Sequence, residues 1–303
     1  MIDYELELFD RINAIKDTIS KYGEENFCLS FSGGKDSTIL HYLLDIALPN
    51  NKIPRVFINT GIEYIYIFQF VQELAKDDDR FVIIKPTKSV KQICEQYGYP
   101  FKSKEHSTKL DLFQKGSRSK SVLNYMNDRE SKHFGCPKEL LLQFSEDYKF
   151  KVSAKCCHYL KKEPFKRYQR ESGRTIFMTG MRKEEGGQRT HLTCIITDKN
   201  GNIKKFHPLV KVDEDWENEF IKRNNVKLCK LYYPPYNFKR TGCRFCPYAL
   251  ELENQLEVAY RLLPNEAKAG ELIWKPVFDE YRRLGYRLHK TMQIKLDLET
   301  EDK

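Results

Sequence analysis

Short runs of Val, Ile and Phe alternate with longer stretches of helical period through the first third of the chain. Residues 26–31 (NFCLSF), 55–59 (RVFIN) and 81–85 (FVIIK) predict strands, and 38–47 and 62–75 predict the helices between them. That alternation implies βαβ crossovers, and so an α/β fold: a parallel sheet with helices on both faces. Ahead of it, residues 1–23 read as an amphipathic helix with Ile2, Leu6, Phe9, Ile12, Ile15 and Ile19 on one stripe.

Residues 99–135 break the pattern. They are polar, rich in Lys and Ser, and weakly periodic, which predicts either a substrate-facing lid or a disordered linker. Order returns at 138–150, and 159–171 predict a further helix. Residues 175–179 (TIFMT) predict another strand. The Asn200-Gly201 pair marks a hairpin between 191–197 and 203–207. Asp213 is placed to cap a helix ending near residue 223, with Glu214 and Asp215 favourable to its dipole. Two helices, 250–263 and 265–284, follow with Pro264 between them, and Trp274, Phe278 and Tyr281 recur at core-facing spacing. This predicts a nucleotide-binding α/β domain over 1–210, including the polar insertion, and a C-terminal helical, cysteine-bearing region over 211–303. No internal repeat is evident.

Composition narrows the class. The 303 residues are 40% hydrophobic and 31% charged, with mean hydropathy −0.64. No apolar run approaches the roughly 18 residues of a membrane helix, and the N-terminus lacks the basic and apolar regions of a signal peptide. Collagen, coiled-coil, membrane and secreted-scaffold classes are excluded, and the expected compartment is the cytoplasm. Nine cysteines therefore read as thiols or metal ligands. A net charge of +9 favours an anionic partner: a nucleotide, a sulfate ester or a nucleic acid.

Ser32-Gly33-Gly34-Lys35-Asp36-Ser37 lies between a predicted strand and a predicted helix. Glycines allow positive φ and a close approach of backbone N–H groups to an anion, and the helix start adds its dipole. Ser32 and Ser37 add hydroxyls and Lys35 a charge; Asp36 beside a phosphate calls for a metal ion, magnesium being the candidate, or for a capping role. The spacing is not that of Walker A. A helix cap with incidental glycines is the plainer alternative. Asn59-Thr60-Gly61 follows the second strand at its carboxyl end, where open α/β sheets bind ligands; an ordinary turn would look the same.

Cys156-Cys157 and Cys243-x-x-Cys246 are the second signal. Neighbouring thiols diverge, which suits the corners of a [4Fe–4S] cube better than one metal ion; Cys₄ zinc and unligated or redox thiols stay open. Lys155, Lys161, Lys162, Arg240 and Arg244 supply cations near both segments. Cys28, Cys94, Cys136, Cys194 and Cys229 stand singly, and Cys28 and Cys194 read as core.

SGGKDS resembles the PP-loop of the adenine nucleotide alpha-hydrolase superfamily, and Asn59-Thr60-Gly61, with Glu63 behind it, resembles that superfamily's Asp/Asn-Thr-Gly element. Residues 156–164 (CCHYLKKEP) resemble the cluster-binding segment of the adenylyl-sulfate/phosphoadenylyl-sulfate (APS/PAPS) reductase family, in its [4Fe–4S]-bearing branch. Residues 179–189, with Thr179, Gly180, Arg182 and Arg189, resemble its Thr-Gly-x-Arg…Arg stretch, and 238–247 (FKRTGCRFCP) its last two ligands. The resemblance runs from about residue 30 to 247 in the family's order. It implies ATP or adenylyl sulfate on the loop with Lys35 and Asp36, Gly180 against the nucleotide, Arg182 and Arg189 facing its sulfate or phosphate end, and Cys156, Cys157, Cys243 and Cys246 holding the cluster next to it. Guanidinium forks suit tetrahedral oxyanions; solvated surface arginines are the plainer reading.

The resemblance breaks in two places. The sequence has no cysteine after Cys246, whereas sulfonucleotide reductases carry a nucleophilic thiol on a C-terminal tail, and Gly186 stands where the family usually has Ser. Either Cys136 substitutes as nucleophile or the chemistry differs. The expectation is ATP-pyrophosphatase-type activation of an acceptor, or sulfur transfer, with a sulfur donor or reductant protein as partner. A divergent APS/PAPS reductase releasing sulfite is the alternative, and a non-catalytic nucleotide and cluster sensor the third reading. Lys102, Lys104, Lys109, Lys115, Arg118 and Lys120 would guide a nucleic-acid acceptor or form a solvated face.

Overall fold

Parallel pairing of Val-, Ile- and Phe-rich strands builds the sheet of this computed structural model, which describes residues 4–127, 135–185 and 187–288. In chain order the elements are α1 (Tyr4–Tyr22), β1 (Phe27–Phe31), α2 (Lys35–Ala47), β2 (Arg55–Ile58), α3 (Ile65–Asp77), β3 (Phe81–Ile84), α4 (Val90–Tyr97), α5 (Lys104–Gln114) and α6 (Lys120–Asn127). The single turn α7 (Lys155–Cys157), α8 (Glu163–Ser172), β4 (Ile176–Met178), β5 (Ile195–Thr197), β6 (Ile203–Phe206), α9 (Glu214–Arg223), α10 (Leu252–Leu262) and α11 (Pro264–Leu284) follow. A π-helical turn, His158–Lys162, joins α7 to α8 where one helix was expected.

The sheet runs β3-β2-β1-β4-β6-β5, parallel except for β5. Period-2 geometry sorts its side chains. Leu29, Phe31, Arg55, Phe57 and Phe81 share one face, where the Phe31 and Phe81 rings meet His41 of α2 and Phe57 meets Phe68 of α3. Cys28, Val56 and Phe177 share the other, under Phe165 and Tyr168 of α8. Both faces are therefore covered, as near-continuous apolar strands require. The hairpin forms at Asp198–Asn202, with Gly201 at φ +80°. Asp213 caps α9 by accepting from Trp216 N–H at 2.8 Å.

Packing divides the chain differently from a single cut near residue 210. One compact unit takes in the described residues of 1–59, 63–85 and 163–242; the other those of 60–62, 86–162 and 243–303. The chain leaves the sheet after β3, buries a second core, and returns for α8 and β4. Packing, not sequence order, assigns the cysteine segments and the 99–135 region to the second unit.

That region is neither loose linker nor irregular lid over its described part. It forms α5 and α6, with His106, Leu110 and Phe113 buried at i, i+4 and i+7. His106 exchanges hydrogen bonds with the Tyr125 hydroxyl (3.0 Å) and Gln143 Oε1 (2.8 Å). The polar residues that hid this period lie on the outer face; residues 128–134 lie outside the described set. The α1 stripe also needs correcting. Ile15 and Ile19 are buried with Arg11 and Thr18, but Leu6 and Phe9 are 60% and 62% exposed.

Burial holds His41 and His207 neutral, lowering both from the ordinary histidine value to about 4, and takes His106 to about 3. The unfolded chain binds these protons first, near pH 6.5, so stability is fully present above that value and is lost as pH falls towards the folded values. Each histidine contributes a slope of about 1.4 kcal/mol per pH unit over that window. Urea midpoints should therefore drop between pH 7.5 and 5, and His106→Gln should flatten the drop; equal midpoints at both pH values would contradict this assignment.

Candidate phosphate cradle and thiol cavity

The strands β1, β2 and β3 step in one direction, and β4 lies on the opposite side of β1. Strand order reverses between β1 and β4, and loops leaving two such strands diverge to open a crevice at their carboxyl ends. The loop Ser32–Gly34 leaves β1 there, and Gly180–Arg182 leaves β4.

The first loop is held from within. Ser32 Oγ lies 3.0 Å from Ser37 Oγ and accepts from Gly34 N–H at 3.3 Å; Ser37 Oγ and Thr38 Oγ1 donate to Gly34 C=O at 3.0 and 2.9 Å. Gly33 takes φ +71°, and a Cβ there would stand 2.9 Å from Ile67 of α3, so both conformation and space require glycine. Gly34 precedes α2 with no side chain capping the helix, which leaves the first turn facing the loop with its dipole. The Lys35 N–H donates to the Tyr232 hydroxyl at 3.0 Å, and that hydroxyl sits 2.7 Å from Thr241 Oγ1. Burial raises Tyr232 to about 12, so it stays protonated. Gly180 presses on the same helix: a Cβ there would stand 2.6 Å from Asp36 O.

Charge gathers over this loop. Lys35 Nζ lies 3.1 Å from Glu217 Oε2 and 3.4 Å from Glu214 Oε1. Arg182, 6% exposed, places Nε 3.1 Å from Glu217 Oε1 and Nη1 2.5 Å from Glu184 Oε2. Arg189 is pushed below the ordinary arginine value by burial and by Arg240 and Arg182, against the pull of Asp36. Lys35, Asp36, Arg182, Arg189 and Arg240 thus form one electrostatic group, whereas sequence order alone had set Arg240 beside the thiols.

Asn59 extends the β2–β3 ladder by donating to Ile84 C=O at 2.8 Å. Thr60 and Gly61 belong to the other compact unit: Thr60 is buried and accepts from Ile62 N–H at 3.4 Å, and Gly61 takes φ +79°. Gly186 lies outside the described residues.

Within that second unit Cys156, Cys157, Cys243 and Cys246 line one small cavity, with Lys161 as a lining cation. Burial, Cys243 and Cys157 raise the Cys246 thiol; donating a hydrogen bond to the neighbouring Cys94, together with burial, raises Cys156. Among the described residues no three His, Cys, Asp or Glu side chains converge as on a single metal ion. The second pair sits on a turn gripped by α11. Phe245, at φ +46°, rests its ring on Gly270, where a Cβ would stand 2.1 Å from it. Trp274 Nε1 donates to Arg244 C=O at 2.8 Å and the Tyr281 hydroxyl to Pro247 C=O at 2.9 Å. Trp274 and Tyr281 belong to the core-facing stripe expected for this helix, and Gly270 extends it one turn towards the N-terminus.

The sequence matches the model of the phosphoadenosine phosphosulfate reductase domain over residues 26–130 and 135–249. The chain belongs to the phosphoadenosine phosphosulfate reductase domain family. An uncharacterised protein of Methanocaldococcus jannaschii is 26% identical over 268 residues, covering 83% of this chain and 51% of that protein. An adenosine 5'-phosphosulfate reductase of Rhizobium tropici is 28% identical over 136 residues, 45% of this chain and 66% of that one. The chain thus spans about half the length of the archaeal relative. Among solved structures, a phosphoadenylyl-sulfate reductase of Candida auris in complex with phosphate aligns with TM-score 0.47 at 18% identity, covering 77% of this chain and 87% of that one. An NH3-dependent NAD synthetase of Campylobacter jejuni aligns with TM-score 0.42 at 15% identity over 95% and 99%.

In this member of the reductase domain family, sequence reading missed Glu217, Tyr232, Thr241 and Cys94. Glu217 left a trace: it is an acidic residue inside the apolar stripe of α9, between buried Trp216 and Phe220. The other three are fixed only by tertiary contact. Cys136, the substitute nucleophile expected from sequence, is raised to about 12 by burial, so at neutral pH it is a thiol, not the nucleophilic thiolate.

Gly270→Val should force the Phe245 ring off α11 and destabilise the protein by about 1–3 kcal/mol. Thiol titration should show faster modification of Cys243 and Cys246 in the variant, and unchanged rates would contradict the clamp.

Proposed function

We propose that the chain is an adenine-nucleotide-dependent enzyme of sulfur metabolism that binds ATP through the Ser32–Ser37 loop and activates an acceptor with release of pyrophosphate. The observation that carries this reading is the convergence of Lys35, Arg182 and Arg189 on a glycine loop where strand order reverses. The Gly33 and Gly34 backbone and the Ser32 and Ser37 hydroxyls line the phosphates; Lys35 and Arg182 neutralise non-bridging oxygens; Arg189 stabilises the departing pyrophosphate. An acceptor nucleophile attacks the α-phosphorus as the bond to the bridging oxygen breaks, and pyrophosphate leaves with that electron pair. Asp36, beside these phosphates, is balanced by Arg189 or by magnesium arriving with the nucleotide. Asn59 continues the loop edge.

The four cavity cysteines, Cys156, Cys157, Cys243 and Cys246, suit a [4Fe–4S] cluster. Four thiols share one cavity without converging on a point, which fits cube corners better than a tetrahedral zinc. Such a cluster supplies a site for holding or delivering sulfur, or for electron transfer. Burial raises Cys28, Cys136, Cys194 and Cys229, so none of these four is a ready thiolate. That favours chemistry at phosphorus over thiol attack on sulfate. Membership of the reductase domain family, and the adenosine 5'-phosphosulfate reductase of Rhizobium tropici among its relatives, support adenylyl sulfate as the second reading.

Calorimetric titration should show ATP binding that Lys35→Met weakens at least ~10-fold; absence of ATP binding, together with sulfite release from adenylyl sulfate on adding thioredoxin, would replace the first reading by the second. Anaerobically purified protein should carry about four iron and four sulfide per chain, lost in Cys246→Ser; zinc without iron would refute the cluster.

A further inference from the structure

Among the described residues at the cradle, Glu217 is the acidic side chain that is fully enclosed, with none of its side chain exposed. Its two oxygens divide between the cations: Oε2 lies 3.1 Å from Lys35 Nζ and Oε1 3.1 Å from Arg182 Nε. Each cation also meets a second acid, Lys35 with Glu214 and Arg182 with Glu184, so Glu217 balances the two cations without being the sole partner of either. The reason for an enclosed anion is electrostatic. Lys35, Arg182, Arg189 and Arg240 would repel one another strongly if gathered over a glycine loop without a counter-charge.

We propose that Glu217 is a proton-coupled internal counter-anion for the cradle: it holds Lys35 and Arg182 in place until a phosphate or phosphosulfate group arrives, yields both cations to that group, and takes up one proton from solvent. It is a positioning residue, acting through Lys35 and Arg182. The proposal rests on the reading of Ser32–Ser37 as a nucleotide cradle and adds its linkage to pH.

Charge balance supports it. An oxyanion engaging Lys35 and Arg182 removes the two cations that keep Glu217 ionised and adds negative charge at the same place. An enclosed carboxylate in that position is relieved most readily by protonation. Glu217 starts near the balance point: burial and Asp36 raise it to about 7, against Arg182 and Lys35. The groups facing it are Lys35 and Asp36 from α2, Arg182, with Glu184 behind it, from the loop after β4, and Glu214 on its own helix. The other helix against α9, α1, meets it at Trp216 and Arg223 through Tyr4 and Glu5.

The test is titration of the whole protein with ATP and with adenylyl sulfate, at pH 6.5, 7.5 and 8.5, in two buffers of different ionisation heat. For whichever nucleotide binds, wild-type protein should take up at least ~0.3 proton per ligand more than Glu217→Gln at pH 7.5. Wild-type affinity should weaken about three- to fivefold per pH unit above pH 7, while the variant is flatter. Equal proton uptake and parallel pH profiles in the two proteins would overturn the proposal while leaving the nucleotide reading intact. Infrared difference spectra of wild-type protein labelled with ¹³C at glutamate carboxyls need no variant: a protonated-carboxyl band should grow on ligand addition, and its absence is equally fatal. If neither nucleotide produces binding heat at any pH, the cradle reading fails and the proposal fails with it, an outcome distinguishable from binding without proton uptake.

Discussion

Concentrating positive charge at one end of a parallel sheet is the constraint around which the first compact unit is organised. The reversal between β1 and β4 opens the crevice; glycine at 180 lets its backbone approach that of Asp36, and glycine at 33 lets the loop pass close to the Ile67 side chain. Lys35 and Arg182 reach the crevice from the starts of two different connections; Arg182 also pairs with Glu184 two residues on, but among the described residues no acid of either connection lies between the two cations. An acid from a third element, α9, supplies the counter-charge. The hydroxyl of Tyr232 completes the arrangement by accepting the first N–H of α2. Affinity for an anion in such a site is the strength of its new ion pairs less that of the internal pairs it displaces.

The second unit solves a different problem, that of presenting four thiols to one cavity. Cys156 and Cys157 sit on a short turn that passes through a π-helical segment into α8, so the helix register shifts just after the pair. Cys243 and Cys246 sit on a turn whose left-handed Phe245 tolerates its conformation because the ring packs against bare backbone at Gly270. Indole and phenol groups about one and three helical turns further along α11 fix the flanking carbonyls. Thiol placement is thereby tied to the apolar face of a helix whose exposed side carries most of its charge.

Buried polar networks recur in both units. Arg55, fully buried in the sheet, donates to His41 Nδ1 at 3.1 Å and to Asn51 Oδ1 at 2.7 Å, and pairs with Asp45 at 2.5 Å. His106 is held by Tyr125 and Gln143, and Tyr148 links Gln143 to Glu280 at 2.7 and 2.8 Å. Such networks are costly when half satisfied and specify one arrangement when complete. Glu217 differs in kind: its partners are cations that an anionic ligand would also engage.

Local pattern determined much of this protein. The strand runs, the glycine loop, the hairpin at Gly201, the cap at Asp213 and the break at Pro264 are decided within a few residues, because each depends on alternation, φ preference or a side chain reaching its own backbone. The family motifs were legible for the same reason, being contiguous strings. Tertiary structure alone decided the rest. Which side of β1 receives β4, that Glu217 lies between Lys35 and Arg182, that Cys94 joins Cys156, and that residues 104–127 bury a helical face despite a polar composition all depend on residues tens to hundreds of positions apart. Burial and charge balance act through space, and a one-dimensional pattern carries no record of which distant side chain will supply the missing partner.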